Sequence, residues 1–94
     1  MDLAVIHNIH DPEGWKQALA DPHEYPPGYN LRSFVEGVDG TRAVCLWDAP
    51  SQAGLQENLD RIFGHAVVND VFPVQVSFFQ GQPNRPKPPA VLSQ

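Results

Sequence analysis

Four histidines, His7, His10, His23 and His65, are the side chains of this 94-residue chain best suited to proton chemistry near neutral pH. An imidazole can take or give a proton there as general base or acid, and the same ring can ligate a nickel- or zinc-type ion. Their settings differ. His7 lies in a short apolar run, His10 stands just before an acidic helix start, and His23 sits beside Glu24 in a Pro-rich stretch. His65 follows a Gly at the end of a helical pattern. His10, His23 and Glu24 have no recognisable metal-ligand spacing. Cys45 is the single cysteine, so no internal disulfide and no thiolate zinc cluster can form within the chain. Its apolar neighbours read as the surroundings of a small buried hydrophobe. No Gly-rich phosphate loop, Ser-His-Asp spacing or local context for a nucleophilic cysteine occurs. An enzyme built on this chain must run on histidine and tyrosine, and no cofactor is expected.

The elements that position these groups follow from local signals. Residues 3–9 form an apolar, partly β-branched run too short for a helix and read as a strand buried on both faces. Asp11-Pro12-Glu13 is a helix start: a capping carboxylate, a preset φ and an acidic first turn. That helix carries Trp15, Ala18 and Leu19 on one side and must stop before Pro22. Residues 22–28 form a loop, placed to act as a lid with Tyr25 and Tyr29 as polar-tipped walls. Residues 29–38 and 41–49 read as two strands joined at Asp39-Gly40, a pair suited to a type I′ turn. Ser51 caps a second helix in which Leu55, Leu59, Ile62 and Phe63 make one apolar stripe, with Glu57 and Arg61 spaced as an ion pair and Gly64 as C′ residue. A last strand is expected over 71–79, on a sheet edge because Pro73 lacks a ladder donor.

The order β-α-β-β-α-β is the ferredoxin-like α+β pattern: four antiparallel strands, two helices on one face, first and third strands central. It predicts one domain over 1–80 and a Pro-rich tail over 81–94 holding Pro83, Pro86, Pro88 and Pro89. The hairpin register sets Glu36 opposite Ala43, Phe34 opposite Cys45 and Arg32 opposite Trp47 on one face. Val35 with Val44, Ser33 with Leu46 and Leu31 with Asp48 share the other. Both faces are therefore apolar, and the helices can cover only one. The other would leave roughly several hundred Å² of apolar surface in water. The economical solution is a homodimer through the sheet face bearing Arg32, Phe34, Cys45 and Trp47, with the Arg32 guanidinium stacked on the Trp47 indole. The net charge of −5 and the scattered Lys and Arg argue against a nucleic-acid partner. No window approaches a membrane span, and the expected compartment is the cytosol.

The segment Ala43-Val44-Cys45-Leu46-Trp47-Asp48-Ala49-Pro50-Ser51, running into Leu55 and Leu59, resembles the strand-to-helix junction of the dimeric α/β-barrel superfamily. That group spans muconolactone isomerases, cofactor-free and haem-degrading monooxygenases, stress-responsive barrel proteins and uncharacterised families, one with nickel-binding members. The resemblance covers about residues 2–80 and implies an architecture, since the group shares a fold and not a chemistry. By that resemblance the side of the first strand bearing His7 faces a pocket between sheet and helices, and His65 falls near a position that often carries a functional histidine. The haem-degrading members place an Asn on the first strand and a Trp in the second helix. Here His7 holds the first position, Asn8 points the other way and the second helix has no Trp.

Four readings follow. The first is a small-molecule-binding dimer without turnover, its pocket lined by His7, Trp15, Tyr29 and His65. The second is a cofactor-free isomerase, cyclase or monooxygenase with His7 and His65 as acid and base. The third is a nickel- or zinc-type metal-binding protein using the same two rings. The last is a structural dimer that contacts partners through its tail.

Overall fold

Strand β1 (Asp2–Ile9) forms the centre of the sheet, hydrogen-bonded on both sides. The computed structural model describes residues 1–76. Beyond β1 they form α1 (Pro12–Ala20), β2 (Asn30–Glu36), β3 (Arg42–Asp48), α2 (Gln52–Phe63) and β4 (Val67–Pro73). The strands make one antiparallel sheet in the order β2-β3-β1-β4, a ferredoxin-like α+β fold with β2 and β4 at the edges. The domain boundary expected near residue 80 and the Pro-rich tail lie outside the described residues.

Both helix starts form as their residues dictate. The Asp11 carboxylate accepts from the Gly14 N–H at 3.1 Å, with Pro12 in the first turn, and the Ser51 hydroxyl accepts from the Gly54 N–H at 3.0 Å. The backbone N–H groups of His10 and Asp11 both donate to the Ala66 carbonyl, which ties the start of α1 to the turn after α2. Leu55, Leu59, Ile62 and Phe63 are all buried. They pack with Leu3, Val5, Trp15 and Val71 in a core between the helices and one sheet face. Gly64 ends α2 in the right-handed region at φ −61°, without the left-handed turn expected of it. Arg61 donates to Asn58 at 2.7 Å rather than pairing with Glu57.

The hairpin keeps the expected register from Glu36↔Ala43 to Ser33↔Leu46. Its turn differs. Gly37 N–H donates to the Arg42 carbonyl and Gly40 N–H to the Gly37 carbonyl, so the loop spans four residues, and of its residues Gly40, at φ +77°, is the glycine with positive φ. Asp39 stabilises it by accepting from both the Thr41 N–H and its hydroxyl. Past Ser33 a β-bulge skips Arg32, so that Leu31, and not Arg32, pairs with Trp47, and Asn30 pairs with Asp48. The expected Arg32–Trp47 stack is therefore absent. Arg32 reaches Asp48 instead, at 3.6 Å on the surface.

Two further expectations change. Strand β4 begins at Val67, four residues ahead of the expected start. Its inward positions are Val67, Asn69 and Val71, and the Asn69-Asp70 pair, ahead of the expected start, lies inside the strand. The sheet face expected to meet a second copy is instead covered by the helices. Val5 pairs with Cys45 and Leu3 with Trp47, and directly opposed residues share a face. Phe34, Cys45 and Trp47 therefore point towards the helices with His7. The open face carries Ala4, Ile6, Val35, Val44, Leu46, Val68 and Phe72, of which Val35 and Val68 are about 60% exposed. No helix among the described residues is long and apolar enough to cross a membrane.

Candidate functional site

Between the sheet, the two helices and the 21–29 connection lies a cavity of about 330 Å³. Its floor is the inward face of the central strands: His7 from β1 with Cys45 and Trp47 from β3. Leu31 and Phe34 of β2 form one wall, Trp15 and Leu19 of α1 the next, and Leu59 and Phe63 of α2 the third. His23, Tyr25 and Tyr29 line it from the connecting segment. The bulge at Arg32 is what brings Leu31 round to this face.

Aromatic rings dominate the lining. Trp15 packs on His7 at 5.0 Å, on Phe63 at 5.1 Å and on Phe34 at 6.2 Å between ring centres, all tilted. Tyr25 lies 4.9 Å from Trp47. These offset and tilted contacts suit the ring quadrupoles. The Trp15 indole N–H donates to the Glu36 carboxylate at 3.2 Å, which fastens α1 to the end of β2 and holds that ring as a wall. Tyr29 reaches under α2: a Cβ on Gly54 would collide with its hydroxyl oxygen, so the glycine leaves room for the tyrosine. Burial raises the Tyr25 phenol above its ordinary value, and it stays neutral.

His7 is 1% exposed and bonded at both nitrogens. Its Nδ1 lies 2.5 Å from the Asn69 Oδ1 and its Nε2 lies 3.2 Å from the Cys45 Sγ. The network assigns the protons. The Asn69 amide nitrogen donates to the Asp60 carboxylate at 2.9 Å, so its oxygen faces His7 and accepts from Nδ1–H. The Nε2 lone pair is then free to accept from the Cys45 thiol. Burial holds the His7 ring below its ordinary value, opposed in part by the Asn69 bond, and burial pushes the Cys45 thiol up to about 12. Both groups are neutral at pH 7: an imidazole and a thiol, not an ion pair. The Trp47 indole N–H, buried without a hydrogen-bond partner of good geometry, is close enough to the sulfur to oppose that rise.

His7, Trp15 and Tyr29 thus converge on one cavity, whereas His65 does not line it. His65 is exposed on the turn after α2, and the second imidazole at the cavity is His23, whose Nε2 donates to the Ala18 carbonyl at 2.6 Å. His10 is exposed at the start of α1. Among the described residues no three His, Cys, Asp or Glu side chains are grouped closely enough to hold a metal ion. Asn69 and Cys45, the two partners of His7, carried no signal as site residues. The strand expected from residue 71 leaves Asn69 outside it. The β-branched Val67-Val68 before it and Val71 after it were the available clue to a strand that brings it inward.

Comparison with protein-family models, with curated proteins and with solved structures gives no match, so the functional reading of this cavity rests on its own chemistry.

Proposed function

We propose that this protein binds a small, planar, largely apolar molecule in the cavity between its sheet and its helices, and that it does so as a homodimer of the dimeric α/β-barrel type. The observation that carries the first part is the lining: the rings of Trp15, Phe34, Phe63, Tyr25 and Trp47 around about 330 Å³, with one buried neutral imidazole among them. Pockets for small ligands are of this size and character, mostly apolar with a few placed polar groups. A cavity of about 150 Å³ accommodates benzene, so about twice that volume suits a compound of one or two rings. The offset between neighbouring rings leaves aromatic faces for stacking.

Titration with 2-naphthol, followed through the two tryptophan indoles in the lining, tests this reading. Saturable quenching with one site per chain is expected. Phe34 stands on an edge strand and is partly exposed, so Phe34→Ala leaves the fold intact. It should weaken binding about three- to tenfold, the worth of one aromatic contact. Quenching that rises linearly without saturating, or is indifferent to Phe34→Ala, rejects the cavity as the site.

The homodimer is supported by the open sheet face, where Ile6, Val44 and Leu46 continue into Val35, Val68 and Phe72 with no helix above them among the described residues. This face, and not the one bearing Cys45 and Trp47, is where a second copy packs. Sedimentation velocity should report twice the chain mass, and Val44→Lys should halve it without loss of secondary structure. A monomeric parent protein at micromolar concentration refutes this part and leaves the ligand proposal standing.

A further inference from the structure

The sequence shows no context for a nucleophilic cysteine, yet the fold builds one at the floor of the cavity. Cys45 Sγ lies 3.2 Å from the Nε2 of His7, and the opposite ring nitrogen is held by Asn69, which the Asp60 carboxylate holds in turn. A thiol, a base within hydrogen-bond reach and a third group that fixes the tautomer of the base are the parts of an activated nucleophile. Trp47, beside Cys45 in the cavity floor, keeps its indole N–H buried and without a hydrogen-bond partner.

We infer that Cys45 is a nucleophile towards conjugated carbonyl compounds that enter the cavity, with His7 as its base and Asn69 as the residue that positions His7. This rests on the cavity being a site for planar apolar ligands. In the step, the S–H electron pair attacks the β-carbon of the C=C–C=O unit and the S–C bond forms. The thiol proton passes to His7 Nε2, the C=C π pair moves to give an enolate, and His7 returns the proton to the α-carbon. The product is a saturated thioether with neutral His7, and no oxidant or reductant is consumed. A soft carbon electrophile fits because the surroundings are apolar and the thiol is neutral at rest. Polar alkylating agents meet a buried thiol that is seldom ionised. The titratable groups around the pair are Glu36 across Trp15, Asp60 behind Asn69, and His23 and Tyr25 in the lining.

The test is intact-mass spectrometry of the full chain incubated with 4-phenylbut-3-en-2-one, beside the saturated 4-phenylbutan-2-one as a non-reactive binder followed by fluorescence. The expected result is one adduct per chain, located on Cys45 and absent in Cys45→Ala, formed faster than the adduct with iodoacetamide. His7→Gln should slow it about 100-fold, the scale of general-base assistance, while the saturated ketone still binds. Should His7→Gln not fold, the pH profile of the parent protein decides. A rate that falls below neutral pH and levels above it reports His7 as base, and a rate climbing tenfold per pH unit to pH 10 reports direct thiol ionisation and overturns the relay. Binding of the saturated ketone without any adduct overturns the nucleophile and spares the ligand reading. Failure of both ketones overturns the two together.

Discussion

Lowering the pH from about 7.5 to about 5.5 offers His7 a proton that its native surroundings resist. The ring is buried, its Nδ1–H is committed to Asn69, and its Nε2 lone pair accepts from Cys45. Its pKa is therefore lowered in the folded protein, chiefly by burial, from the ordinary 6.5 that it regains on unfolding. Below 6.5 the unfolded chain binds the proton more readily than the native one. Stability contributed by neutral His7 is present above that value and is lost as the pH falls towards the folded pKa. A native state that keeps His7 neutral down to pH 5.5 sets the upper bound. The unfolded imidazole is then about ten parts protonated to one, worth about 1.4 kcal/mol between the two pH values. Urea unfolding at fixed protein concentration, at both pH values, measures the change for the parent protein and for His7→Gln. Carboxylates and the exposed histidines contribute equally to both proteins, so the difference between the two changes isolates His7. Equal changes in parent and variant would mean that His7 takes its proton as easily in the folded state, and the buried neutral pair would have to be abandoned.

Gly54→Ala should not give the stabilisation of about 1 kcal/mol that alanine usually brings to a helix interior, because the new Cβ displaces the Tyr29 hydroxyl. The Cβ would also press on the Ser51 hydroxyl, so in a Tyr29→Ala background the same change should cost less than in the parent without becoming a full gain, and an equal effect in both backgrounds would show that Gly54 and Tyr29 are not in contact. Asn69→Leu leaves the Nδ1–H of His7 buried without an acceptor, and should cost about 1–3 kcal/mol in urea unfolding. A neutral result would place a water or another acceptor at that nitrogen. Ser51→Ala removes the cap of α2 and should cost about 1 kcal/mol, whereas Ser51→Gly should cost only a few tenths. Equal losses for the two substitutions would count against the capping bond.

Much of the fold was legible from short stretches because its signals are local. Asp11-Pro12 and Ser51 start helices through bonds to N–H groups three residues on, Pro22 stops the first, and the spacing of Leu55, Leu59, Ile62 and Phe63 sets the buried side of the second. The hairpin register up to Ser33↔Leu46 follows from the Asp39-Gly40 position alone, because residues on either side of a turn pair by their distance from it. The placement of His7 on a covered face with Leu3 and Val5 was within reach for the same reason, through the two-residue period of a strand.

What tertiary structure decided was which faces meet. A one-residue bulge at Arg32 turned Leu31 into the cavity and put Arg32 outside, an event that leaves no mark on an alternating pattern. The β1–β3 register, which no local signal gives, placed Phe34, Cys45 and Trp47 beside His7 instead of on the open face of the sheet. Asn69 falls outside the strand that the sequence predicts from residue 71. It lies in a strand because a histidine 62 positions earlier supplies its bond, and a buried amide without that partner would not be tolerated. The site is therefore a long-range object. Cys45 and Asn69 meet His7 across 38 and 62 positions, and His23 rather than His65 joins them at the cavity. Composition and spacing marked the histidines as the groups able to do chemistry; only the packing of two helices on one sheet chose among them.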